Sequence, residues 1–122
     1  MNGVNSDTNL TLALHWPHMI TVSNRIYVHP DYHAAFEARF HARPRQVDDR
    51  PGFLCSYILK PTVQDEPFIV LTLWESREAF EAWRTAPGFK EGHKGGNTLP
   101  PEAFPSPNEL EIHDVIGGSG ID

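Results

Sequence analysis

A chain of 122 residues with 39% hydrophobic and 21% charged side chains has the size and composition of one compact globular domain, unlike a disordered chain. Its net charge of −6, from 16 acidic against 10 basic side chains, argues against a nucleic-acid partner, and no apolar run is long enough to span a bilayer. The single cysteine, Cys55, excludes an internal disulfide and cysteine-based metal clusters, which leaves the seven histidines and the carboxylates as metal donors.

Cys55 lies in an apolar run and reads as a small buried hydrophobe, which favours a reducing compartment. The opening stretch MNGVNSDTNLTLALHWPH lacks the basic start and long apolar core of a signal peptide, so a cytoplasmic protein is expected. Residues 1–18 are polar, carry a Pro17 stop and read as an N-terminal extension. From Met19 to Val28 the sequence alternates: Ile20, Val22, Ile26 and Val28 share one face with Asn24, and Thr21, Ser23, Arg25 and Tyr27 share the other. That pattern is a half-buried strand.

Pro30-Asp31 opens a helix with Asp31 as its N-cap, and Tyr32, Ala35, Phe36, Arg39 and Phe40 recur at helical spacing until Pro44. The runs FLCSYILK and PFIVLTLW, separated by PTVQDE, predict an antiparallel hairpin. Ser76 caps a second helix that carries Ala79, Phe80 and Trp83 on one side and ends before Pro87. GFKEGHK allows one or two more turns, GGNTLPPEAFPSPN reads as a long loop, and ELEIHDVI closes the domain as a strand. The domain is therefore placed at 19–116, with 117–122 as a C-terminal tail.

Strand, helix, strand, strand, helix, strand is the βαββαβ order of an α+β, ferredoxin-like fold, an antiparallel sheet with two helices on one face. The middle strands are apolar on both faces, with Phe53, Cys55, Tyr57 and Leu59 opposite Leu54 and Ile58, and Phe68, Val70 and Trp74 opposite Ile69, Leu71 and Leu73. Two helices cover one face only. The simplest cover for the other is the same sheet of a second copy, giving a symmetric homodimer, a dimeric α+β barrel.

Three residues do not fit a pure packing role. Asn24 interrupts the apolar face of the first strand; either a neighbouring backbone group satisfies it or it faces a cavity and hydrogen-bonds a ligand. Taken alone, Trp83 reads as core and His93 as a surface residue, although imidazole is the commonest protein donor to transition metals. The break at Pro87-Gly88 uncouples the following segment, so that Phe89 and His93, four apart, can turn back toward a cavity lined by Trp83. An amide below, an indole above and an imidazole at the edge suit a flat aromatic ligand containing a metal, for which haem is the obvious candidate.

SNRIYV on the first strand, LTLWESREAFEAW across the third strand and second helix, and FKEGHK after the break resemble the IsdG-type haem-degrading monooxygenases of the antibiotic-biosynthesis-monooxygenase (ABM) superfamily. The resemblance covers about residues 19–116. It implies dimers of ferredoxin-like subunits, each binding one haem between helices and sheet as substrate and cofactor. It also implies that His93 binds the iron, that Asn24 donates a hydrogen bond near the distal ligand, and that Trp83 presses the porphyrin out of plane; Phe89, by its spacing from His93, is expected in the same cofactor-binding pocket. Dioxygen and an external reductase or reductant complete the reaction, since no nucleotide-binding Gly-rich turn is present and no room remains for a flavin domain. Arg25, Arg84, Lys90 and Lys94 are available for the propionates, but each reads as a solvated surface charge.

Two further readings stay open. In one the chain is a cofactor-independent ABM-type monooxygenase of an aromatic, polyketide-like substrate that Asn24 and Trp83 bind directly, and nothing then requires His93. In the other it is a non-enzymatic haem-binding protein that holds haem through His93 without consuming it.

Overall fold

The computed structural model describes residues 18–42, 46–86 and 99–120. The N-terminal extension up to Pro17 and the segment that holds Pro87, Gly88, Phe89 and His93 lie outside them. Four strands form one antiparallel sheet: β1 (Ile20–Ile26), β2 (Phe53–Leu59), β3 (Phe68–Trp74) and β4 (Glu109–Asp114), in the spatial order β2-β3-β1-β4. Two helices, α1 (His33–Ala42) and α2 (Arg77–Arg84), follow β1 and β3. This is the expected ferredoxin-like arrangement, with β1 paired on both sides along its length.

The alternation of β1 sets the core. Ile20, Val22 and Ile26 are buried, as is Val28 just beyond the strand, and they pack with apolar residues of both helices. One cluster joins Ile20, Val22 and Trp74 to Phe80 and Trp83 of α2; a second joins Ile26, Val28 and Phe68 to Phe36 of α1. Edge-to-face aromatic contacts tie each together, with Phe36 4.9 Å from both Phe40 and Phe68, and Trp74 5.8 Å from Phe80. Each such side chain contributes roughly 1.5–3 kcal/mol by burial, so the helices are held chiefly by these few aromatics.

The helix starts differ. Ser76 caps α2 as expected, its Oγ accepting from the Ala79 N–H at 3.1 Å. At the first helix the expected Asp31 cap is corrected: His29 caps, its Nδ1 accepting from the Asp31 N–H at 3.1 Å, and Pro30–Tyr32 form a 3-10 turn that leads into α1. Pro30 accounts for this, since its fixed φ suits the first helical position and so places the cap at His29, two residues upstream of Asp31.

β2 departs from simple alternation. Its register against β3 shifts between Phe53 and Cys55, so Phe53 lies opposite Trp74 whereas Cys55, Tyr57 and Leu59 lie opposite Leu73, Leu71 and Ile69. Directly opposed residues share a sheet face. Phe53 therefore joins the helix-covered face, packed 5.5 Å from Trp74, and not the face of Cys55 and Tyr57 on which alternation alone would put it. The extra residue of a bulge inverts the phase of everything before it. Gly52, at φ +83°, makes the preceding turn; a Cβ there would collide with the Ala79 methyl of α2, so only glycine allows strand and helix to approach.

The other sheet face is uncovered. Tyr57 is 57% and Leu59 41% exposed, and Cys55, Ile69, Leu71 and Leu73 are half-buried. The β1 and β4 part of this face is polar, where Tyr27 donates to Glu109 at 2.9 Å and Arg25 pairs with the same carboxylate at 3.4 Å. The long Pro-rich loop is more ordered than its composition implies. Pro101–Ala103 form a 3-10 turn, the fully buried Ala103 accepts from the His29 N–H at 2.8 Å, and Leu99 and Phe104 pack on the second cluster. β4 ends at Asp114 and Ile116 is 95% exposed, so the closing strand is shorter than its apolar pattern suggested. Among the described residues no helix is long and apolar enough to cross a membrane.

Candidate functional site

The two core clusters do not merge. β1 contributes Ile20 and Val22 to one and Ile26 to the other, and the residue between them on the same face is Asn24. Across the sheet Asn24 is flanked by Val70 of β3 and Leu110 of β4, so the amide is the one polar member of that row. It is half-buried and makes no side-chain hydrogen bond to the described residues. By register Asn24 stands between the β1 residues that join the α2-side cluster and the one that joins the α1-side cluster, with apolar neighbours on both sides.

Trp83 forms the wall on the α2 side. It is 8% exposed and packs with Ile20, Val22, Trp74 and Phe80, against which Val47, Phe53, Ala79 and Ala86 also rest. Helical spacing places it one turn after Phe80 on the same face. Its orientation depends on α2 being held at both ends: Ser76 caps the start, and the Thr85 N–H donates to the Glu81 carbonyl at 3.1 Å at the end. Phe36 and Val70 belong to the cluster on the α1 side.

One neighbour of Trp83 was not foreseen. The Arg50 guanidinium lies over the indole, its Cζ 5.7 Å from the ring centroid, and its Nε is buried without a hydrogen-bond acceptor. Such a cation–π contact contributes about 0.5–2 kcal/mol, more as it is desolvated. No periodic signal could have revealed it, because Arg50 sits in an irregular turn far from Trp83 along the chain. Arg25, by contrast, serves the open face: its hydrogen bond with Tyr27 raises its pKa further, and the Glu111 and Glu109 carboxylates act in the same sense.

The structure thus brings Asn24 and Trp83 to the same helix-covered side of the sheet, the indole in contact with the strand residues that precede the amide. Phe89 and His93, the other two residues singled out, lie outside the described residues. Among the described residues no group of three or more His, Cys, Asp or Glu is arranged to hold a metal ion. A haem iron asks for less, since the macrocycle supplies four donors and the protein one. What the described part offers suits such a molecule: aromatic clusters under both helices, with the half-buried Asn24 amide between them on the same sheet face.

Comparison with known proteins agrees with this geometry. Residues 19–95 match the antibiotic biosynthesis monooxygenase family. A mycobilin-producing haem oxygenase of Mycobacterium tuberculosis is 38% identical over 84 residues, 69% of this chain and 79% of that protein. A haem-degrading monooxygenase of Bacillus anthracis is 31% identical over 72 residues, 57% of this chain and 65% of the relative. Among solved structures, the haem degrader MhuD of M. tuberculosis with two haems in its active site superposes with a TM-score of 0.67 at 29% identity, covering 83% of this chain and 99% of that one. SnoaB, a cofactor-independent oxygenase of Streptomyces nogalater, shares the fold at 23% identity with a TM-score of 0.64, covering 83% of this chain and 96% of its own. The chain is a member of the antibiotic biosynthesis monooxygenase family, and its relatives within that family include haem-degrading enzymes.

Proposed function

We propose that the chain is a haem-degrading monooxygenase that consumes haem with dioxygen and electrons from an external reductant and releases its iron. The observation that carries this reading is the half-buried Asn24 amide on the same helix-covered sheet face as Trp83, in a chain 38% identical to a haem oxygenase. Bound haem supplies the redox-active iron and is itself the substrate. His93 would hold the iron through an imidazole nitrogen, with Phe89, four residues earlier in the sequence, contributing to the same pocket.

The Asn24 amide would donate a hydrogen bond to a ligand from the one polar position in an otherwise apolar row of the sheet. Among the described residues no side-chain hydrogen bond engages that amide, and its strand is paired on both sides, so the donor is held in place for a ligand. Trp83 acts by bulk: an indole packed on Phe80 and Trp74 cannot retreat, so a flat substrate bends against it and is bound under strain. The uncovered apolar part of the sheet, with Tyr57, Leu59, Ile69, Leu71 and Leu73, fits a homodimer built sheet to sheet as an α+β barrel. The free thiol of Cys55 on that face suits the reducing cytoplasm.

The test is to titrate the purified chain with haemin and then supply a reductant in air. Progressive loss of the Soret band with appearance of free iron is expected. A bound spectrum that persists would make the chain a haem carrier.

A further inference from the structure

We infer that Arg50 is a positioning residue, which fixes the Trp83 indole against the substrate; this rests on the reading of Trp83 as the wall of a haem site. Three observations support it. First, the backbone around Arg50 is pinned: its N–H donates to the Val47 carbonyl at 3.0 Å, its carbonyl accepts from Phe53 at 3.1 Å, and the adjoining Gly52 carbonyl accepts from Glu75 at 2.8 Å. The side chain therefore leaves a rigid turn. Second, it ends over the indole, with Cζ 5.7 Å from the ring centroid.

Third, among the described residues its charge has no anionic partner. Asp48 and Asp49 stand immediately before it, yet both are exposed and neither forms an ion pair with it, and its buried Nε has no acceptor there. A guanidinium drawn away from two adjacent carboxylates, with a covered and unsatisfied donor, is a poor packing element; an apolar side chain would fill that space without the desolvation cost. What only a planar cation supplies there is attraction to the π face of Trp83. The indole is then held by a cation on its ring and by the cluster of Ile20, Val22, Trp74 and Phe80 in which it packs. Its freedom to swing away from a substrate it must distort is reduced.

The experiment compares wild type, Arg50→Met and Arg50→Lys in the full chain. The Trp83 near-ultraviolet circular dichroism is isolated, without haem, by subtracting the spectrum of each protein's Trp83→Phe counterpart. Haemin affinity and the single-turnover rate per bound haem are then measured. Arg50→Met is expected to flatten the Trp83 band and to slow degradation per bound haem by about three- to tenfold, with affinity changed less than about twofold. Arg50→Lys recovers part of both, since an ammonium keeps the attraction without the flat stack. An unchanged band and rate in Arg50→Met overturns the proposal. So does a loss of affinity at a constant rate per bound haem, which would make Arg50 an anchor for substrate carboxylates instead. If the wild type degrades no haem, the proposed function fails, while the haem-free Trp83 band still decides whether Arg50 holds the indole.

Discussion

Replacing Trp83 by alanine separates packing from catalysis, because the structure gives it a large and calculable effect on stability. The indole is 8% exposed. A buried tryptophan removes about 150–250 Å² from water, which at about 25 cal/mol per Å² and with the residual cavity places the loss near 3–5 kcal/mol. The cavity would open between α2 and the Ile20-Val22 stretch of β1, where Trp74 and Phe80 cannot close it without leaving their own contacts. For a domain of this size the melting temperature should fall by about 10–20 °C. Trp83→Phe keeps an aromatic ring in the same place and should lose about half as much or less. Each variant is measured twice, by thermal unfolding and by the rate of haem loss per bound haem well below its melting point. If the indole strains the substrate, the alanine variant binds haem and degrades it slowly, and the phenylalanine variant stays close to wild type. An alanine variant that is destabilised as expected but turns over bound haem at the wild-type rate would refute the catalytic reading and return Trp83 to the core.

His93→Ala should leave the fold intact and abolish tight haem coordination; an unchanged Soret position and affinity would remove His93 as the ligand. Asn24→Val should raise stability by about 1 kcal/mol, because it replaces a half-buried amide flanked by Val70 and Leu110, and a lower urea midpoint would show that the amide is satisfied within the fold. Gly52→Ala should cost at least about 1–3 kcal/mol from its positive φ alone, and more from the contact with Ala79, a loss read directly as a shift of the urea midpoint.

The legible part of this fold is the part with a period. β1 declares itself through Ile20, Val22 and Ile26, and the same alternation exposes Asn24 as a polar residue in an apolar register. α2 is equally plain, from the Ser76 cap to Trp83. The β2 bulge was hidden because Phe53, Leu54 and Cys55 are all apolar, so a slip of one residue leaves no mark on the pattern. His29 was missed as a cap because imidazole seldom serves as one and the preferred Asp31 stood two residues away. The ordered turn at Pro101–Ala103 was concealed by prolines that read as loop, although Ala103 is fully buried. Arg50 could not be read at all, since its contact with Trp83 depends on the three-dimensional course of the Gly52 turn.

The central claim is that the sheet face at Asn24 is where haem is consumed. The direct measurement is iron captured by a ferrous chelator per bound haem, in reductant and air, for wild type and Asn24→Ala side by side. Stoichiometric iron release by wild type is expected, with little or none from Asn24→Ala although it binds haem with similar affinity. Equal release from both proteins, or a wild type that holds its haem intact, would contradict it.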